Sequence, residues 1–193
     1  MMTRRRTVLT AAASAALAAT ITLAGCAADQ QPSAVSTPAA SSTTSQSVVL
    51  TATDESLADQ LRYLVEEEKL AHDVYVTLGD QWGSRIFSNI ASSEVRHQQQ
   101  VEALLPAYGI EDPRIDQVGR FTDPDLQALY DRLVAEGSRS QAAAFQVGVT
   151  IEETDIADLK AAMAGSPADV TAVLESLLSG SQNHLAAFQR QLA

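Results

Sequence analysis

The chain has 193 residues, a formal charge of −11, 46% hydrophobic and 5% aromatic residues, and one cysteine. That length suits one domain of ordinary size with accessory segments. A single Cys excludes an internal disulfide framework and a cysteine-cluster metal site, and the acidic balance excludes a reader of nucleic-acid phosphates, which needs clustered Lys and Arg.

The first segment, 1–25, reads as an export signal. Arg4, Arg5 and Arg6 precede an uncharged run rich in Ala, Leu and Thr that closes on Leu23-Ala24-Gly25-Cys26. Small residues before a cut suit a signal peptidase, and their running directly into Cys resembles the bacterial lipobox, whose Cys becomes an acylated N-terminus. A membrane anchor with an incidental Cys is the competing reading, but the run is weak in Leu and Ile. The arginines raise twin-arginine export as a minor option. Removing the segment leaves ten basic against 24 acidic side chains, a charge of −14. Electrostatics alone would not hold such a chain on anionic lipid, so acyl groups on Cys26 are expected to attach it to the membrane, facing outside the cytoplasm. Residues 26–53 read as a tether: from Ala27 onward, 11 of 27 residues are Ser or Thr, with Pro32, Pro38 and the lone charge Asp29. Such a stretch buries too little apolar surface to offset its ordering entropy.

From Asp54 the periodicity is helical. The pattern predicts helices over 54–79, 84–107, 125–136, 139–164 and 167–191, with Ser84, Asp123, Ser138 and Ser166 as candidate caps. The long helices, about 37 Å each at 25 residues, have four-helix-bundle proportions, and the short helix falls in a crossover between the second and third long ones. Residues 54–193 are thus expected to form an all-α four-helix bundle.

Chemistry enters where the apolar stripes break. The stripes run Leu57, Leu61, Leu64, Glu68, Ala71, Tyr75, Leu78; then Phe87, Ile90, Glu94, His97, Val101, Leu104; then Phe145, Gly148, Glu152, Asp155, Leu159, Ala162; and Val170, Leu174, Leu177, Ser181, His184, Phe188. Each is interrupted near its middle by polar groups. Burying one unpaired carboxylate costs several kcal/mol, so Glu68, Glu94, His97, Glu152 and His184 need mutual compensation. Either they pair internally as a salt-bridge network, with Arg62, Arg96 or Lys69 assisting, or a metal neutralises them. Carboxylate and imidazole together suit Fe or Mn first, with Zn or Cu as alternatives. Glu94-x-x-His97 puts both side chains on one face, one turn apart.

These residues resemble the ferritin-like superfamily and, more closely, a prokaryotic ferritin-like family classed as a domain of unknown function. The resemblance is carried by Glu66-Glu67-Glu68-Lys69-Leu70-Ala71, Asp73-Val74-Tyr75, Phe87-x-x-Ile90-Ala91-x-x-Glu94-x-x-His97, Gly148-x-x-Ile151-Glu152-Glu153-x-Asp155, and Gly180-Ser181-x-Asn183-His184. It implies a metal site of Glu68, Glu94 and His97 in one half and Glu152 and His184 in the other, for one or two ions, with oxygen or peroxide chemistry if the metal is redox-active. The sequence departs from the superfamily at Ser181, where a second Glu-x-x-His would have Glu; Asp155 is the candidate to supply the missing oxygen. His72 is read as a partner to a carboxylate before a ligand, Tyr75 as a core side chain before a donor to the site, and Gly148 as a close-packing position. Glu66 and Glu67 are expected to be solvated or paired with Lys69 and Arg62. The alternative to a metalloprotein is a non-enzymatic structural or binding bundle; a homodimer is left open, and nucleic acid is not expected as a partner.

Overall fold

The computed structural model describes residues 52–193; the leader over 1–25, Cys26 and the tether as far as 51 lie outside the described residues, and the last two tether residues, Ala52 and Thr53, belong to the first helix instead. Helix α1 spans Ala52–Trp82, α2 Arg85–Glu102, α3 Pro124–Gly137, α4 Gln141–Ala162 and α5 Ala168–Leu192, with a 3-10 turn at Leu105–Tyr108. The fold is all-α, with no strand among the described residues. Helix α1 packs along α2 and α4 along α5; α2 also touches α5, α1 touches α4, and α3 bridges α1 and α4.

The boundaries have local causes. Helix α1 continues past Gly79, which faces α2 so closely that a Cβ there would lie 3.0 Å from Cβ of Phe87. It stops at Gly83, whose φ of 65° is the left-handed conformation that Gly adopts without a Cβ penalty. Helix α2 ends five residues earlier than the periodicity suggests, because Pro106 has no N–H to continue the ladder; the chain tightens into the 3-10 turn instead. Asp123 caps α3 as expected, accepting from the N–H groups of Asp125 and Leu126. Ser138 closes α3 rather than opening α4, and the α4 cap is Ser140, which accepts from Ala143. Ser84 precedes α2 without a side-chain cap bond, and Pro167, not Ser166, sits at the α5 start.

Two apolar clusters fill the interior. One gathers Tyr75, Leu78, Phe87, Phe145 and Phe188; the other Leu61, Leu64, Val101, Leu159, Leu174 and Leu177. Gly148 lets the first close: a Cβ there would come within 2.6 Å of the Phe188 ring. Between these clusters in each stripe lie Glu68, Glu94, His97, Glu152, Asp155, Ser181 and His184, all buried.

Candidate metal centre

Four helices bring the polar layer together. One ligand-type atom each from Glu94, His97 and His184 lies within 4.8 Å of the others. Nδ1 of His97 stands 2.8 Å from Oε2 of Glu94 and 3.3 Å from Oε2 of Glu68. Nδ1 of His184 stands 2.8 Å from Oε1 of Glu94 and 3.6 Å from Oε2 of Glu152. The two imidazoles stack, with ring centroids 5.2 Å apart. Glu94 therefore lies between both rings, one turn from His97 on α2 and facing His184 across to α5. Gly180 makes room for this: a Cβ there would overlap Nε2 of His97.

Tyr75, fully buried, donates from its hydroxyl to Oε1 of Glu152 at 2.6 Å. It is thus both the core side chain expected and a direct partner of a site carboxylate. Ser181 turns its hydroxyl back to the Leu177 carbonyl at 3.0 Å. His72 lies outside the cluster, with Nδ1 2.8 Å from Oδ1 of Asp73, which favours its reading as a carboxylate partner.

Electrostatics in the layer are unbalanced. Burial disfavours a charged ring at His97, but the Glu68 and Glu94 carboxylates outweigh it and raise its pKa to about 10. His184 rises to about 9 against the same burial, under Glu152 and Glu94. Burial pushes Glu152 up to about 7 and Asp155 up to about 6, and drives Glu68 well above the carboxylate range. Glu94 moves the other way: burial would raise it, but His184 and His97 hold it below its ordinary value.

Buried polar atoms are normally paired. Here Oε1 of Glu68, Oε1 of Glu94, Oδ1 of Asp155, Nδ1 of His184 and Oε2 of Glu67 have no hydrogen-bond partner among the described residues. The close approach of His184 to Glu94 belongs to this set, since neither atom makes an aligned hydrogen bond. Imidazole nitrogen and carboxylate oxygen converging is the donor set of a borderline divalent cation, which would take the place of the ring protons that the carboxylates hold there. None of the proposed cationic helpers reaches the layer: Arg62 pairs with Asp59, Arg96 with Ser93, and Lys69 with Asp73.

The expectation that Glu66 and Glu67 are solvated or paired with Lys69 and Arg62 is overturned. Every residue from Leu64 to Ala71 is buried, because the segment between α2 and α3 covers the side of α1 that a simple stripe leaves to water. Glu66 accepts from the backbone N–H of Thr122 at 2.6 Å and of Asp123 at 3.1 Å. Lys69 donates to Asp73 and to the carbonyls of Gln117 and Arg120, and lies 4.5 Å over the Phe121 ring. The readable signal was Val65, Leu70 and Val74, apolar residues off the stripe that make the middle of α1 apolar on more than one face. Gly180, too, carried no mark in the sequence that tied it to His97.

Comparison with known proteins agrees with this architecture. The uncharacterized protein MJ0754 of Methanocaldococcus jannaschii is 46% identical over 129 residues, covering 66% of this chain and 70% of that protein. The crystal structure of the hypothetical protein MJ0754 from that archaeon superposes with a TM-score of 0.68 at 44% identity, covering 70% of this chain and 78% of the other. Residues 57–193 match the family described as Uncharacterized protein domain (DUF2202). With the match spanning all five helices, the chain belongs to the DUF2202 family.

Proposed function

We propose that this protein is a ferritin-like four-helix bundle that binds one or two transition-metal ions, Fe or Mn before Zn or Cu, in the polar layer between its two apolar clusters. The observation that carries the reading is the convergence of buried Glu94, His97 and His184 donors within 4.8 Å, with Oε1 of Glu68 and Oδ1 of Asp155 left without a hydrogen-bond partner among the described residues. Glu94, His97 and His184 would hold the ion. Glu68 and Glu152 flank it, and Asp155 supplies the fourth carboxylate that the Ser181 departure removes. Four carboxylates can offset two divalent charges; three cannot. Tyr75 fixes Oε1 of Glu152 and leaves Oε2 as the oxygen nearer His184. A redox-active ion bound there supplies electron transfer to O₂ or peroxide. The protein's part is to orient the donors and keep bulk water from the layer, which the apolar clusters on both sides do. The proposal includes an extracytoplasmic location, with the bundle tethered through an acylated Cys26.

A second reading, a buried salt-bridge network without metal or catalysis, is favoured by the 2.8 Å approaches of His97 and His184 to Glu94. It leaves the orphaned oxygens of Glu68 and Asp155 unexplained. Metal analysis of full-length protein purified without chelator separates the two. The metal reading expects stoichiometric metal in the wild type and its loss in the Glu94→Ala, His97→Ala double variant. Equal, near-zero metal in both would sink it, and the network reading further expects a chelator to leave thermal stability unchanged.

A further inference from the structure

Glu67 is not used by the centre just described, yet it is 6% exposed and its Oε2 has no hydrogen-bond partner among the described residues. Its neighbours are acids. Asp155 and Asp158 of α4 and Glu68 are the charges that act on it most strongly. The Tyr63 hydroxyl stands 3.5 Å from Oε1 of Glu67. A buried carboxyl among acids either keeps its proton or meets a cation: burial first, and then these acids, push the Glu67 carboxyl well above its ordinary range, and no basic side chain of the described residues pairs with it.

The helix geometry gives this cluster a direction. Glu152, Asp155 and Asp158 follow one another at three-residue steps on α4, so each adjoins the next while the row advances about 4.5 Å per step and drifts around the helix from the core toward its edge. Glu152 and Asp155 are buried and Asp158 is partly exposed. On α1 the facing pair is Glu68, inside the layer, and Glu67 beside it. Asp158 and Tyr63 line an open depression between α1 and α4, together with Gln60, Leu64 and Ala161. A line of oxygens thus runs from the depression inward: Asp158, Glu67, Asp155, then Glu68 at the edge of the Glu94–His97–His184 group. Asp155 and Glu67 keep unspent lone pairs along it.

We infer that Asp158 and Glu67 form an entry route by which a divalent cation passes from solvent to the buried centre, reaching it at Asp155. The inference rests on the metal reading above. Low-dielectric walls lined by one sign of charge concentrate counter-ions and raise association rates. A route differs from a ligand set in that it speeds arrival and departure alike and leaves the equilibrium unchanged.

The test uses full-length protein stripped with chelator and Co²⁺ alone as the probe, its uptake followed by visible absorption in a stopped-flow mixer. Glu67→Gln and Asp158→Asn keep shape and remove charge. In the double variant the loading rate is expected to fall roughly tenfold, the release rate to fall with it, and the equilibrium affinity to stay at the wild-type value. Glu153→Gln, which removes the same charge from an exposed position of the same helix, should load at the wild-type rate. Asp158→Asn alone, at a partly exposed site, gives the same slowing to a smaller extent with no threat to folding. Loading at the wild-type rate in the double variant overturns the route. So does an affinity loss matching the rate loss, which would make these side chains ligands, or equal slowing by Glu153→Gln, which would make the effect one of net charge. If the wild type itself takes up no Co²⁺, the metal reading fails first and the route falls with it.

Discussion

Two clusters of buried charge sit on neighbouring faces of α1 and are built on opposite terms. Around Glu66, Lys69 and Asp73, every charge meets a partner: backbone N–H groups of Gly119, Thr122 and Asp123, carbonyls of Gln117 and Arg120, and the Lys69–Asp73 pair. Around Glu68, Glu94, Asp155 and His184, buried atoms are left over. Both clusters cost desolvation. Only the first recovers it within the chain, by fastening the segment between α2 and α3 onto α1. A polar cluster that closes on itself is architecture; one that converges and keeps unpartnered atoms is where the proposed metal site lies.

The largest effect expected from breaking that contrast is at Lys69. Lys69→Met leaves Asp73 buried without its cation and should cost about 3–5 kcal/mol, measured by urea unfolding, and the deficit should be the same with or without metal. In the open cluster the dependence reverses. Free metal at a hundred times its dissociation constant should add about 2.7 kcal/mol to wild-type stability and nothing to Glu94→Ala, as read from thermal melts with and without chelator. Gly180→Ala comes next: the added methyl displaces His97, and metal affinity should fall roughly tenfold with little change in metal-free stability, seen by competition with a chromophoric chelator.

The smallest effect is in acid. Burial would raise the Asp73 carboxyl, but His72, Lys69 and the Gly119 N–H outweigh it and hold it below its unfolded value of 3.8. Its contribution is therefore complete above that pH and disappears as the pH falls through the lower folded value. Asp73→Asn should flatten the acid-unfolding curve below 3.8, where Asp155→Asn in the open cluster should not.

Much of the architecture was legible because burial writes a period into a helix. All four stripes fall on buried positions apart from half-buried Leu57, and the interruptions at Glu68, Glu94, His97, Glu152 and His184 converge as their shared level implied. Helix ends were less legible. Ser138 and Ser140 are both good caps two residues apart, and which one opens α4 depends on where α3 stops, a matter settled by Gly137 packing under Leu78.

What the sequence determined by itself was the set of helices, the inward face of each, and the polar residues on those faces, since period and residue chemistry are local properties of the chain. What only the tertiary structure decided was which charges have no water. A stripe argument grants each helix one solvent face, and α1 has none through its middle. The segment between α2 and α3 closes over one side and makes anchors of Glu66 and Lys69, while Glu67 is buried among the acids of α4 and Glu68. Val65, Leu70 and Val74 mark a second covered face, but no local pattern records which charges it takes from water, because the desolvation of a side chain is set by what folds back over it.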